Sequence, residues 1–379
     1  METQTAPIPR ELLALEAEPR LRSTETPMLK RVTVVTVAVP KPAASFWKRN
    51  RTILLFVLLL VAADAVIGSF APIWQRHSPD DYALRVQGCA REPREVVFVG
   101  GSPVAEGIDP DRIAGSAYAM GLSGGTTSDF YHAVLRGCPT PPRMLIYGIT
   151  ASDLNDSRHE PHGPFSLMTW GDLGRWVRLR PESSEWVVRH FALAKLGQAS
   201  SLFRYRHGMR MWAATEADER LPGSCPESKR EADELRAYSE ALRTGNGYAP
   251  SRGFVEMRYD ALKAAGLAAK EFPYLAKYRT GSHLKFLHKL IDWCEEGGVQ
   301  LVLLDMPVTA DLEAMHVSAF AEYRTRLAEV ERDRKVRVLR ATRDAVGLND
   351  AHFADLIHMN RVGATLFSEW VKGVLELHP

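Results

Sequence analysis

Short unbroken apolar runs alternate with amphipathic stretches along much of the chain. Residues 96–100 (VVFVG) contain no polar side chain, the pattern of a parallel strand buried on both faces. Residues 116–122 (SAYAMGL), 143–149 (RMLIYGI), 299–307 (VQLVLLDMP) and 336–342 (VRVLRAT) read the same way. Helical spacing marks residues 127–137, with Thr127 or Ser128 as cap and Gly137 as stop. It also marks 283–298, closed by Gly297 and Gly298, then 310–333 and 361–377. Strands alternating with helices predict an α/β fold, with a parallel sheet covered on both faces and right-handed crossovers.

The alternation stops over residues 151–280. This stretch is helix-rich, with Trp170, Trp176, Trp186 and Trp212 among many arginines, and reads as an insertion after the third strand. Residues 243–254 (RTGNGYAPSRGF) should form a loop inside it. Its tryptophans suit ordinary helix packing or a flat apolar face for a sugar or a protein.

Residues 53–73 (ILLFVLLLVAADAVIGSFAPI) are apolar apart from Asp64 and long enough to cross a bilayer as a helix. Lys48, Arg49 and Arg51 precede the run and direct that end to the cytoplasm. A carboxylate in mid-span costs about 2.5–3.5 kcal/mol on insertion scales, which the run of Leu, Ile, Val and Phe can offset. The stretch ahead of the run is longer than the n-region of a signal peptide, so an uncleaved anchor over 46–74 is expected. Residues 1–45, rich in Pro, Glu and Thr, read as a disordered cytoplasmic tail, and 75–379 as an extracytoplasmic domain.

The length of 379 residues, 45% apolar and 25% charged, suits one large globular domain or two ordinary ones. A net charge of +2 without blocks of like charge excludes a nucleic-acid partner. The cysteines are Cys89, Cys138, Cys225 and Cys294; none forms a CxxC pair, so no zinc site is indicated, and no cofactor or nucleotide motif is present. Cys89 and Cys138 each follow a glycine in a loop ahead of a predicted strand and could be bridged if those strands are neighbours. Cys294, on a helix, should be a buried free thiol.

In an open parallel sheet, ligands bind beyond the carboxyl ends of the strands. Three such ends carry chemistry here. The first is Gly100-Gly101-Ser102, where glycines permit a sharp turn that exposes the serine hydroxyl. The second is residues 121–130 (GLSGGTTSDF), a loop into a helix N-terminus, whose N–H groups suit a developing negative charge. The third is residues 350–367 (DAHFADLIHMNRVGATLF), where Asp355 and His358 stand three apart. A serine nucleophile needs a base, and the base an orienting carboxylate. The plainer alternative is that Asp355 holds a turn and His358 caps the last helix. His352 and His316 are rival bases.

These three pieces, in this order, resemble the SGNH/GDSL hydrolase superfamily. The resemblance covers about residues 92–150 and 281–379. It implies a flavodoxin-like three-layer α/β/α sandwich, Ser102 as nucleophile, His358 as base and Asp355 as its orienter. It also implies an oxyanion hole from the N–H groups of Ser102 and Gly124. The family's Gly-x-Asn-Asp after the third strand reads "GITASDLND" here, with Thr150 about where Asn would stand and Asn155 several residues late. Thr150, Ser152 or Asn155 would then supply the third donor, or the hole has two backbone donors. The anchor, with the style of the serine and histidine segments, is similar to membrane-anchored proteins of cell-envelope modification, such as teichoic acid D-alanyl transfer proteins and SGNH-like polysaccharide acetylation proteins. What that implies is a serine esterase or O-acyltransferase acting on acyl esters, acetyl foremost, of an extracytoplasmic glycan. It would sit on the periplasmic side of a bacterial inner membrane, with a membrane-bound O-acyltransferase as partner. The alternative is a non-catalytic SGNH-like envelope protein that binds glycan or such a partner.

Overall fold

The computed structural model describes residues 43–71, 73–74, 81–157, 165–220, 234, 237–250, 252–267 and 272–376. The expected tail lies outside the described residues except for 43–45, which are helical, and Cys225 also lies outside them.

The fold is α/β. Five strands, β1 (Val96–Gly100), β2 (Ala117–Gly121), β3 (Met144–Ile149), β4 (Gln300–Asp305) and β5 (Arg337–Arg340), form one sheet in the order β2-β1-β3-β4-β5. Every pairing is parallel. β1, β2 and β3 are buried at every position, which is why the sequence shows unbroken apolar runs there. The chain runs outward from β1 to β2, then returns to the other side as β3. That reversal makes the carboxyl ends of β1 and β3 the switch point, the place where open α/β sheets bind ligands.

The helices, in chain order among the described residues, begin with α1 (Ala43–Ser69), α2 (Asp81–Ala90), α3 (Ser102–Gly107) and α4 (Thr127–Gly137). The insertion holds α5 (Trp170–Leu179), α6 (Ser184–Ala199), α7 (Ser201–Arg220), α8 (Arg252–Glu256) and α9 (Tyr259–Ala264). α10 (Ser282–Glu296), α11 (Ala310–Met315), α12 (Val317–Arg334), α13 (Arg343–Val346) and α14 (Arg361–Leu375) follow. α4 packs against α2 and α10, and α14 against α3.

Several expectations need correction. The cap of α4 is Thr126, one residue earlier than read, because Asp129 reaches back to accept from the Thr126 N–H at 2.8 Å. The helix expected over 310–333 breaks at His316, and its halves serve different neighbours. Thr309, the cap of α11, is tied through its N–H and hydroxyl to the Leu356 carbonyl, whereas α12 buries Phe320, Tyr323 and Leu327 in the core. The loop expected over 243–254 ends in helix, since α8 starts at Arg252. Cys89 sits within α2, not in a loop, and faces Cys138 at the end of α4. Cys89, Cys138 and Cys294 are buried free thiols; a hydrogen bond with Cys89, then burial, pushes the Cys138 thiol far up.

The apolar run forms a helix that ends at Ser69, short of residue 73, and Trp74 folds back to donate its indole N–H to the Ile67 carbonyl. Its stretch Asn50–Ser69 has mean hydropathy 2.4 and no buried residue, so it is long and apolar enough to cross a membrane. By packing, the chain divides into Met1–Phe56 and Val57–Pro379, and the second unit holds the end of α1 with the sheet and insertion. Within the insertion, Trp176 is fully buried and stacks on His132 and Phe165, Trp186 stacks on His190, and Trp212 meets Trp74 edge-on. Packing accounts for these three, while Trp170 stays 71% exposed.

Candidate active site

The site is built on a row of glycines. Gly100, Gly121 and Gly148 stand side by side at the carboxyl ends of β1, β2 and β3. A Cβ on Gly121 would lie 2.4 Å from the backbone of Ala105, and one on Gly148 2.3 Å from Val104 Cγ2. A Cβ on Gly100 would meet Val104 at 2.5 Å. The absent side chains therefore let α3 settle directly on the strand ends. Ser102 is its first residue, half-buried at the switch point, with Gly101 as cap in extended conformation. At the start of a helix the Ser102 N–H has no intrahelical acceptor and sits at the positive end of the helix dipole.

His358 arrives from the loop ahead of α14. Ser102 Oγ donates to His358 Nε2 at 2.8 Å, and His358 Nδ1 donates to Asp355 Oδ2 at 2.7 Å. The other carboxylate oxygen of Asp355 accepts from the N–H groups of Ile357 and His358 at 2.9 and 2.8 Å. Burial acts to raise the Asp355 carboxyl, but the hydrogen bond and charge of His358 and the two backbone donors outweigh it and hold the group below its ordinary value. Ala354 N–H donates to the His358 carbonyl and closes the loop. Asn360, not His358, caps α14, accepting from Val362 and Gly363 N–H. So Asp355 does hold a turn, and that turn orients the imidazole. His352 accepts from Asn349 N–H within its own short turn, and neither it nor His316 is bonded to Ser102.

The loop carrying Gly124 lies beside the serine loop. Leu122 N–H donates to the Gly100 carbonyl at 2.8 Å. The Phe130 ring lies 3.9 Å from a Cβ position on Gly101 and 2.5 Å from one on Gly125. Gly124 has φ +75°, a conformation that glycine adopts freely and other residues rarely.

The expected side-chain donors of the third block are engaged elsewhere. Thr150 donates through both N–H and hydroxyl to Asp153 Oδ2, at 2.7 and 3.0 Å. Ser152 Oγ lies 3.3 Å from the Tyr274 hydroxyl. Asn155 is corrected as a site residue: its amide N–H donates to the Tyr274 carbonyl, and its oxygen accepts from Ser157 and Arg279 N–H. Asp156 accepts from Ser282 and His283 N–H at the start of α10. The Asn-Asp pair thus staples the two ends of the insertion together.

Two residues at the site escaped the sequence reading. Phe254 of α8 stacks on the His358 imidazole, centroids 4.3 Å apart and planes 21° apart. No sequence signal links it to a histidine a hundred positions away. Asp153 reaches the rim beside Gly101, 3.8 Å from its Cβ position. Its signal was legible: Thr126-Asp129, Thr150-Asp153 and Thr169-Asp172 share one spacing. In each pair the Thr N–H and hydroxyl donate to the same carboxylate oxygen.

No protein-family model matches this chain, and no curated protein matches it. Among the described residues no group of His, Cys, Asp and Glu could hold a metal ion.

Proposed function

We propose that the chain is a serine esterase or O-acyltransferase of the SGNH type, acting on acyl esters, acetyl foremost, of a glycan outside the cytoplasm. One observation carries the reading: the unbroken relay from Ser102 through His358 to Asp355 at the switch point of the sheet. The strand order β2-β1-β3-β4-β5 is that of flavodoxin-like sheets, which supports the finer fold assignment.

His358 Nε2 takes the Ser102 proton as Oγ attacks the ester carbonyl. The carbonyl oxygen becomes an oxyanion facing the Ser102 and Gly124 N–H groups. The tetrahedral adduct collapses, His358 returns the proton to the departing alkoxide, and the acyl group stays on Ser102. Water or a sugar hydroxyl then attacks, giving its proton to His358, and the second adduct collapses as His358 returns that proton to Ser102 Oγ. Asp355 remains ionised throughout and stabilises the imidazolium. Phe254 covers one face of the imidazole and shields it from water.

α1 serves as the anchor, with the N-terminal side cytoplasmic and the sheet domain on the periplasmic side of a bacterial inner membrane. A membrane-bound O-acyltransferase is the partner this arrangement suits. A reporter fused after Pro379 should be active only outside the cytoplasm; cytoplasmic activity overturns that orientation. The second reading, a non-catalytic envelope protein that binds glycan or such a partner, is favoured by one observation. Thr150 and Asn155 both donate to structural partners, Asp153 and the Tyr274 carbonyl, and not toward Ser102. A fluorophosphonate probe on the full chain separates the two. Labelling lost in Ser102→Ala supports catalysis, whereas an unlabelled wild type supports the binding reading.

A further inference from the structure

Asp64, the carboxylate within the apolar helix, is not alone. Ser200 Oγ donates to it at 2.7 Å, Leu202 N–H at 2.8 Å and Ser201 N–H at 3.0 Å. These are the donors at the start of α7, so a residue of α1 caps a helix of the insertion. The seam continues toward the end of α1 and past it. A Cβ on Gly68 would lie 2.7 Å from Ser201 Oγ, and one on Gly208 2.2 Å from the Trp74 carbonyl oxygen. Trp74 meets Trp212 edge-on at 5.4 Å.

Asp64 precedes the helix end at Ser69 by roughly 7.5 Å of rise. If α1 crosses a bilayer, the turn between α6 and α7 is drawn to the depth of Asp64. The surface of the turn fits that depth. The exposed face of α6 is charged at its far end, with Glu185 and Arg189. Toward the turn it becomes mostly apolar through Ala192, Leu193, Leu196 and Ala199, with Gln198 the exposed polar residue among them. Leu196 is 48% exposed, and Leu202, just past the turn, 42%. Lys195, the one charged residue in this part of α6, lies over the Phe191 ring and donates to Gln198, an arrangement in which its stem covers apolar surface. Further along α7 the exposed residues include Arg204, Arg206 and Arg210, suited to lipid phosphates. A soluble surface gains nothing from such a gradient, and an inserted tip needs it.

We propose that the α6–α7 turn is a second membrane-inserted element, seated in the leaflet at the C-terminal end of α1 and locked there by the Asp64 cap. The occupant of the apolar stripe is lipid. The cap gives the mid-span carboxylate three donors, and the insertion is held at the bilayer rather than on a free tether. The proposal rests on the reading of α1 as a membrane anchor, and not on acyl-transfer chemistry.

The test is photolabelling of the full chain in phosphatidylethanolamine/phosphatidylglycerol nanodiscs doped with a lipid carrying a diazirine in its acyl tail, with adducts mapped by peptide mass spectrometry. Adducts are expected on both 50–69 and 188–202. Adducts on 50–69 alone overturn the proposal and leave the anchor standing, whether the stripe then meets water, a second copy or a partner protein. Adducts on neither overturn both. Asp64→Asn, which still caps, should keep the 188–202 adducts. Asp64→Leu, which inserts at least as readily, should lower them several-fold while those on 50–69 persist; equal labelling in Asp64→Leu refutes the locking role.

Discussion

Phe254 lies nearly parallel to the imidazole of His358, with ring centroids 4.3 Å apart, and so joins the insertion to the histidine loop. The same segment is tied twice more, by Tyr259 N–H to the Phe353 carbonyl and by the Asn360 amide to the Met257 carbonyl. The insertion is thus part of the site and not an appendage. Stacked aromatic pairs contribute about 0.5–1.5 kcal/mol beyond their burial. Phe254→Ala should therefore lower kcat/KM by about 3- to 10-fold, and Phe254→Tyr should retain most of it. Equal losses in both would indicate that stacking is not what matters.

Asp355 fixes the tautomer in which His358 Nε2 accepts from the serine. Asp355→Asn keeps the shape but can donate to the ring in place of accepting. A fall in kcat on the order of 10³–10⁴ is expected, with KM little changed. A kcat within tenfold of wild type, measured on an activated acetyl ester, would remove Asp355 from the relay.

Asn155 provides the sharpest check on the oxyanion hole. Were its amide a donor to the oxyanion, truncation would cost about 10²–10³ in rate. Its bonds to Tyr274, Ser157 and Arg279 predict a different result. Asn155→Ala should leave kcat/KM within about threefold and lower stability by about 1–3 kcal/mol, read by denaturant unfolding.

The glycine row predicts an asymmetric rescue. Gly148→Ala meets side chains, Val104 at 2.3 Å and the flexible Met306 at 3.0 Å, and should be largely restored in the double variant with Val104→Ala. Gly121→Ala meets the backbone of Ala105, which cannot give way, and should remain defective whatever is done at Val104. Thermal midpoints of the four variants decide this.

Two carboxyls should pull stability in opposite directions with pH. Burial pushes Asp305 up to about 6 against the hydrogen bond from Tyr323. The folded state then holds a proton that the unfolded state has lost, so this contribution, on the order of 3 kcal/mol, is full below about pH 4 and lost as pH rises through 6. Asp355 lies below its ordinary value, so its contribution is full above about pH 4 and lost in stronger acid. Relative to wild type, Asp305→Asn should flatten the stability profile between pH 4 and 6, and Asp355→Asn below pH 4. Denaturation midpoints across that range check both.

The sheet was readable because β1, β2 and β3 are buried on both faces, leaving runs with no polar residue. The relay residues were readable because Ser102 stands where a strand runs into a helix, and Asp355 and His358 stand three apart in the loop ahead of the last helix. The glycine row was only half legible, since the sequence carries the glycines but not their registration across three strands. Phe254 was hidden because its partner lies across a tertiary contact. Asn155 misled because an Asn-Asp pair after a strand looks the same whether it faces a substrate or fastens a loop. Asp64 read as a cost, and its donors come from a segment far along the chain.

The central claim is that Ser102 becomes covalently acylated with His358 as its base. Rapid-quench intact-mass measurement of the full chain with an activated acetyl ester tests it most directly. One acetyl group should appear on wild type, map to Ser102, be absent from Ser102→Ala and form far more slowly in His358→Ala. Acetylation of Ser102→Ala to the same extent, or a wild type that never carries the group, would contradict the account.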